Sequence, residues 1–146
     1  MSAFRQLSDK VYASPQIDIS DLVKARAEGI TLVINNRPDG EEPGALQSDE
    51  MAAAARAEGL DYIAIPIGHS GFSEPQIDQM ITALGQCSGA ALAYCRSGTR
   101  STLLWALAQA KSGESPDAIA QAAMAAGYDV SPIRPVLDML AARTDR

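Results

Sequence analysis

Residues 90–110 constrain the fold of this chain more than any other stretch. Ala90–Tyr94 reads AALAY, a short apolar run bounded by Ser88-Gly89, and such a run predicts a buried strand. Across residues 102–110 the apolar side chains recur at helical spacing, with Leu103, Leu104, Leu107 and Ala110 on one stripe. Between strand and helix lies a single short loop, Cys95-Arg96-Ser97-Gly98-Thr99-Arg100-Ser101. A strand that passes so directly into a helix belongs to the alternating class of folds, in which helices cover a sheet.

The rest of the chain keeps that alternation. Residues 11–13 predict a short strand, residues 20–28 a helix closed by Gly29, Ile30–Asn35 a strand, and residues 48–58 a helix ending at Gly59. Residues 61–67 predict the next strand, and Ser73-Glu74-Pro75-Gln76 resembles a capping box that opens a helix to about residue 84. Ser115-Pro116 and Ser131-Pro132 each place a capping residue before a proline, which predicts helices over 116–126 and 132–143. The expectation is a single α/β domain over residues 1–146, with a mostly parallel central sheet flanked by helices. Ligands bind beyond the carboxyl ends of the strands in such sheets, so the loops after Asn35, Ile67 and Tyr94 should converge on one site.

Physical chemistry assigns the Cys95 loop its expected role. A turn into a helix N-terminus aims backbone N–H groups and the positive end of the helix dipole at the cysteine sulfur, and such surroundings favour a thiolate. Arg96 and Arg100 add positive charge and planar, bidentate anion recognition, while Gly98 permits a backbone conformation that a side chain would block. Cys95 and Arg100 are therefore the expected catalytic pair, with Arg96, Ser97, Gly98, Thr99 and Ser101 lining the substrate anion. A buried, inert core cysteine is the competing reading.

The loop resembles two known families. Arg100 follows Cys95 by five positions, whereas tyrosine and dual-specificity phosphatases carry one residue more between cysteine and arginine; Cys-Arg-x-Gly-x-Arg is similar to the six-residue loop of rhodanese-type sulfurtransferases. Asn35-Asn36-Arg37-Pro38-Asp39-Gly40-Glu41, together with Pro15-Gln16, Ile65-Pro66 and the Cys95 loop, resembles the phosphatase-like domain of beta-lactamase hydrolase-like proteins over residues 4–113. That resemblance implies a cysteine-phosphatase-like architecture with Cys95 as nucleophile and Arg100 as anion binder. Loop length favours sulfur transfer from thiosulfate or a persulfide through a Cys95 persulfide, with an acceptor thiol as second substrate. The alternatives are a phosphatase acting on a phosphate ester through a Cys95 thiophosphate, and a noncatalytic module that binds an anion or partner. Phosphatase chemistry asks for an acid, yet the loop after residue 67 reads Gly68-His69-Ser70-Gly71-Phe72 without a carboxylate. His69 is one candidate to protonate a leaving group or is merely exposed; Asp39 is another or is simply the centre of a Pro-Asp-Gly turn, with Arg37 as a supporting residue nearby.

Composition narrows the remaining classes. The chain has 146 residues, is 47% hydrophobic and carries a net charge of −6, which allows one respectable core and argues against nucleic acid as a general partner. No apolar run reaches the ~18 residues of a membrane span, and the first ten residues lack the apolar centre of a signal peptide, so a cytoplasmic protein is expected. No metal or organic cofactor is implied. Cys87 should lie at the far end of the strand leading to Cys95, more than roughly 20 Å away at ~3.3 Å per residue, too far for a disulfide.

Overall fold

The computed structural model describes residues 4–41, 44, 47–68 and 71–144. Its described elements run β1 (Arg5–Ser8), β2 (Val11–Ser14), α1 (Ile19–Ala27), β3 (Ile30–Asn35), α2 (Ser48–Ala57), β4 (Asp61–Ala64), α3 (Glu74–Gln86), β5 (Ala90–Tyr94), α4 (Thr99–Lys111), α5 (Pro116–Ala125), a 3-10 turn (Ser131–Ile133) and α6 (Arg134–Thr144). The sheet order is β1-β2-β5-β3-β4. Strands β2, β5, β3 and β4 are parallel and β1 is antiparallel to β2. The architecture is the expected α/β one, a mostly parallel sheet with helices around it.

Strand β5 lies at the centre because it is apolar on both faces. Ala91 and Ala93 belong to one core cluster with Leu104 and Trp105 of α4, whereas Leu92 and Tyr94 belong to the other with Leu22 of α1 and Met51 of α2. The two small alanines leave room for α4 against the sheet, and a residue on each face of one strand is what period-2 geometry delivers. The pairing register aligns Ser14, Asn35 and Tyr94 at one level, with Ala64 beside Asn35. These carboxyl ends form the platform on which the site stands.

Four boundaries differ from the sequence expectation. Strand β1 was not expected; RQLS has no apolar alternation, and its pairing with β2 rather than its composition makes it a strand. Strand β4 stops at Ala64 instead of residue 67, since Pro66 has no N–H, although Ile65 and Ile67 still donate to Asn35 and Asn36 at 2.9 Å each. Helix α4 begins at Thr99, not Thr102, with Gly98 as its N-cap, so Thr99, Arg100 and Ser101 form its first turn. It is also buried on more than the predicted stripe, Ala106 and Ala108 included, because α3, α5 and α6 pack around it. The last predicted helix is divided into the 3-10 turn and α6. No described helix is long and apolar enough to cross a membrane.

Candidate active site

Three strand ends assemble the site. After β3, the Asn35-Asn36 pair stitches its neighbours together: Asn36 N–H donates to Tyr94 O at 2.8 Å and its amide Nδ2 donates to Ile65 O at 2.9 Å. Asn35 Oδ1 accepts from Arg37 N–H at 2.9 Å, a local turn that sends the Arg37 side chain back over the platform. The guanidinium of Arg37 is almost wholly buried and donates through Nε to Glu41 Oε1 at 2.8 Å and through NH1 to Gln16 Oε1 at 2.9 Å. Gln16 in turn gives its N–H to Arg96 O at 3.2 Å. The Pro15-Gln16 and Asn35-to-Glu41 segments thus brace the Cys95 loop from two sides.

Cys95 follows the last residue of β5 and is fully buried. Its own N–H donates to Ser14 O at 3.3 Å, and its Sγ accepts the Gly98 N–H at 3.1 Å. Gly98 has φ of 93°, a left-handed conformation that turns that N–H toward the sulfur. Helix α4 starts at the next residue, so the helix N-terminus faces the thiol as the sequence predicts.

Arg100 completes the geometry. Its NH1 and NH2 donate to Glu41 Oε2 and Oε1 at 2.8 Å each, and NH1 also donates to Ile67 O at 2.8 Å. A guanidinium has five N–H donors in a fixed plane, and these bonds occupy its outer edge and one hydrogen more. The Nε–H and the adjacent NH2 hydrogen form the remaining parallel fork, suited to two oxygens of an anion. Glu41 raises the proton affinity of Arg100 most; burial opposes the rise, and Cys95 adds to it through its charge and a side-chain hydrogen bond. The same two arginines hold the Glu41 carboxyl down to about 2, with Arg100 the larger cause, against an ordinary 4.5.

The other expected residues are distributed unevenly. Arg96 and Ser97 are exposed at the loop; Ser97 Oγ donates to Thr99 Oγ1 at 3.0 Å and accepts the Thr99 N–H at 3.3 Å. Ser101 is completely buried, and its hydroxyl makes no hydrogen bond among the described residues. Asp39 is exposed, and its Oδ1 accepts the Ser48 N–H at 2.7 Å at the start of α2. His69 lies outside the described residues. Cys87 ends α3, with its sulfur 3.4 Å from Thr31 Oγ1 and 3.4 Å from Gly89 O, and both cysteines are free. Glu41 and Gln16 were not among the expected site residues: each acts on a guanidinium distant in sequence, and only their places in the quoted motifs hinted at them.

A family model described as the beta-lactamase hydrolase-like protein, phosphatase-like domain, matches residues 3–112. The chain belongs to that family. A beta-lactamase hydrolase-like protein of Xylella fastidiosa strain 9a5c is 30% identical over 141 residues, 96% of this chain but 33% of the relative. The chain therefore spans about a third of the length of that curated relative. Among solved structures, a candidate phosphatase from Neisseria meningitidis Z2491 superposes with a TM-score of 0.84 at 30% identity, covering 96% of this chain and 99% of that one. More distant folds include Tk-PTP in its active form, at a TM-score of 0.70, 18% identity and coverage of 97% of each chain. P. aeruginosa TpbA, solved with phosphotyrosine, has a TM-score of 0.68 at 13% identity, covering 99% of this chain and 91% of that one. The fold is that of the cysteine phosphatases, as the sequence resemblance implied.

Proposed function

We propose that this domain is a cysteine-dependent phosphatase, and that the Cys95–Arg100 pair is its catalytic centre. This reverses the preference for sulfur transfer that loop length suggested. The observation that carries it is the match to a phosphatase-like family model over residues 3–112, on a cysteine-phosphatase fold. The donor arrangement of Arg100 fits it: Glu41 and Ile67 O occupy three hydrogens, leaving a two-pronged fork for a tetrahedral oxyanion, and the Cys95 sulfur already accepts a loop N–H.

In the first step the Cys95 thiolate attacks phosphorus, forming the S–P bond as the ester P–O bond breaks and the leaving oxygen departs with the bonding pair. Arg100 and the N–H groups at the start of α4 bear the charge on the equatorial oxygens. Water then attacks phosphorus, the S–P bond breaks, the thiolate is regenerated and inorganic phosphate leaves. Asp39 is exposed, and its Oδ1 bonds the start of α2 at the Ser48 N–H and not the Cys95 loop, so Asp39 is not assigned as acid. An aryl ester, whose phenolate departs readily, is accordingly the substrate class to try first.

Release of phosphate from p-nitrophenyl phosphate by the purified chain, lost in Cys95→Ser, is the expected result. A parent protein no more active than Cys95→Ser would overturn the phosphatase reading. The second reading, persulfide transfer, keeps one specific support in the four residues between Cys95 and Arg100; it takes over if thiosulfate and cyanide are turned over in place of the aryl phosphate.

A further inference from the structure

We propose that Tyr128, beyond the stretch matched by the family model, is a positioning residue of the anion loop, fixing the peptide between Ser97 and Gly98 so that its N–H meets the Cys95 sulfur. The Tyr128 hydroxyl donates to Ser97 O at 3.1 Å, and the Gly98 N–H on the opposite edge of that same peptide donates to Cys95 Sγ at 3.1 Å. A trans peptide is planar, with its C=O and N–H antiparallel. Whatever holds the carbonyl therefore aims the N–H.

Neighbouring peptides of the loop are held as well, one by the Gln16 segment and one by the first turn of α4. Gln16 N–H donates to Arg96 O at 3.2 Å, while Thr102 donates to Gly98 O through its N–H at 3.0 Å and its hydroxyl at 2.8 Å. Tyr128 supplies the middle of three consecutive ties, and it does so from 31 residues away. The fit is close: a Cβ on Gly98 would collide with the phenol oxygen and come within 2.8 Å of the ring carbon that bears it.

Tyr128 is itself fixed. Its N–H donates to Ala123 O at 2.9 Å beyond the end of α5, the Arg5 guanidinium stands 6.0 Å from the ring centroid, and Arg5 NH1 donates to Ala126 O at 3.3 Å. Burial raises the phenol pKa, Arg5 opposes the rise and Cys95 adds to it, so the hydroxyl keeps the proton that it donates. The tie from Tyr128 acts on the loop backbone whichever anion the loop takes, phosphate or not.

The test compares the parent with Tyr128→Phe, which keeps the ring and removes the donor. Alkylation of Cys95 is followed by peptide mass for iodoacetate and iodoacetamide separately, with Cys87 as internal control and thermal unfolding measured alongside. The expected result is about a fivefold drop in the iodoacetate-to-iodoacetamide rate ratio at Cys95, the order of one neutral hydrogen bond, with Cys87 rates unchanged. Where aryl phosphate is turned over, kcat should fall similarly while KM stays within about twofold. An unchanged ratio overturns the proposal, as does a parent Cys95 inert to both reagents, because a loop that presents the sulfur must admit a small anion. Equal rate changes at both cysteines together with a lowered unfolding temperature would assign Tyr128 a purely structural role and overturn it too.

Discussion

Gly98→Ala is the substitution whose cost the structure allows to be worked in parts. The backbone at position 98 has φ of 93°, and forcing an L-residue into the left-handed region costs roughly 1–2 kcal/mol. A new Cβ would also lie 3.2 Å from the Ser14 carbonyl carbon and overlap the Tyr128 hydroxyl. Backbone at Ser14 cannot swing aside, whereas the phenol can, and its displacement forfeits the bond to Ser97 O, a net ~1 kcal/mol. The sum is about 2–3 kcal/mol of stability, to be read from urea unfolding. In a Tyr128→Ala background the phenol contribution is absent, so the same Gly98→Ala change should cost only about 1–2 kcal/mol. Identical costs in the two backgrounds would refute the contact between phenol and loop as a source of the glycine requirement. A cost near zero in the parent would refute the left-handed conformation itself.

Two further substitutions probe the carboxylate brace. Glu41→Gln leaves two guanidiniums facing a neutral amide, and because the Glu41 side chain is 23% exposed the loss should be about 1–2 kcal/mol rather than the full linkage value. The folded-state pKa of Glu41 lies below its ordinary value, so its contribution is complete above pH 4.5 and fades as pH falls toward about 2. Urea unfolding should therefore show a parent-to-variant difference that is larger at pH 6 than at pH 3, and a pH-independent gap would count against the ion-pair network. Arg100→Lys should lower kcat/KM toward an aryl phosphate by roughly 100-fold, since an ammonium cannot hold Glu41 with two nitrogens and present a planar fork at once; activity within threefold of the parent would contradict the fork.

Local signals carried the sequence reading where one segment contains its own cause. Ile30–Asn35, the α5 start at Pro116 and the passage from β5 through Cys95 into a helix were legible because apolar run, cap and breaker stand side by side. Helix α4 starts three residues before its apolar period, because Thr99, Arg100 and Ser101 carry no apolar residue and a glycine N-cap gives a weak signal. Strand β1 exists through its partner, Arg5 pairing with Ala13 and Gln6 with Tyr12. The Glu41 and Tyr128 contacts were out of reach for a related reason. Glu41 meets Arg100 across 59 residues and Tyr128 meets Ser97 across 31, and no local pattern encodes either meeting.

Those distant contacts also change what loop length can decide. Counting positions treats the anion cradle as set by the loop, so that one residue fewer should tighten its ring of N–H groups around a small sulfur anion. Arg100 instead leaves from the first turn of α4, and its guanidinium is held at the far end by a carboxylate from the β3–α2 segment and a carbonyl beyond β4. Helix origin and distal brace together set where the fork lies, with the loop supplying only the connection between them. A loop of this length on a cysteine-phosphatase sheet can therefore present a fork for tetrahedral oxygens. Thiosulfate and a phosphate ester both offer such oxygens, so loop length alone does not choose between them, and Glu41→Gln, which removes the distal brace, should lower kcat/KM for whichever anion is turned over; an unchanged kcat/KM would refute the brace.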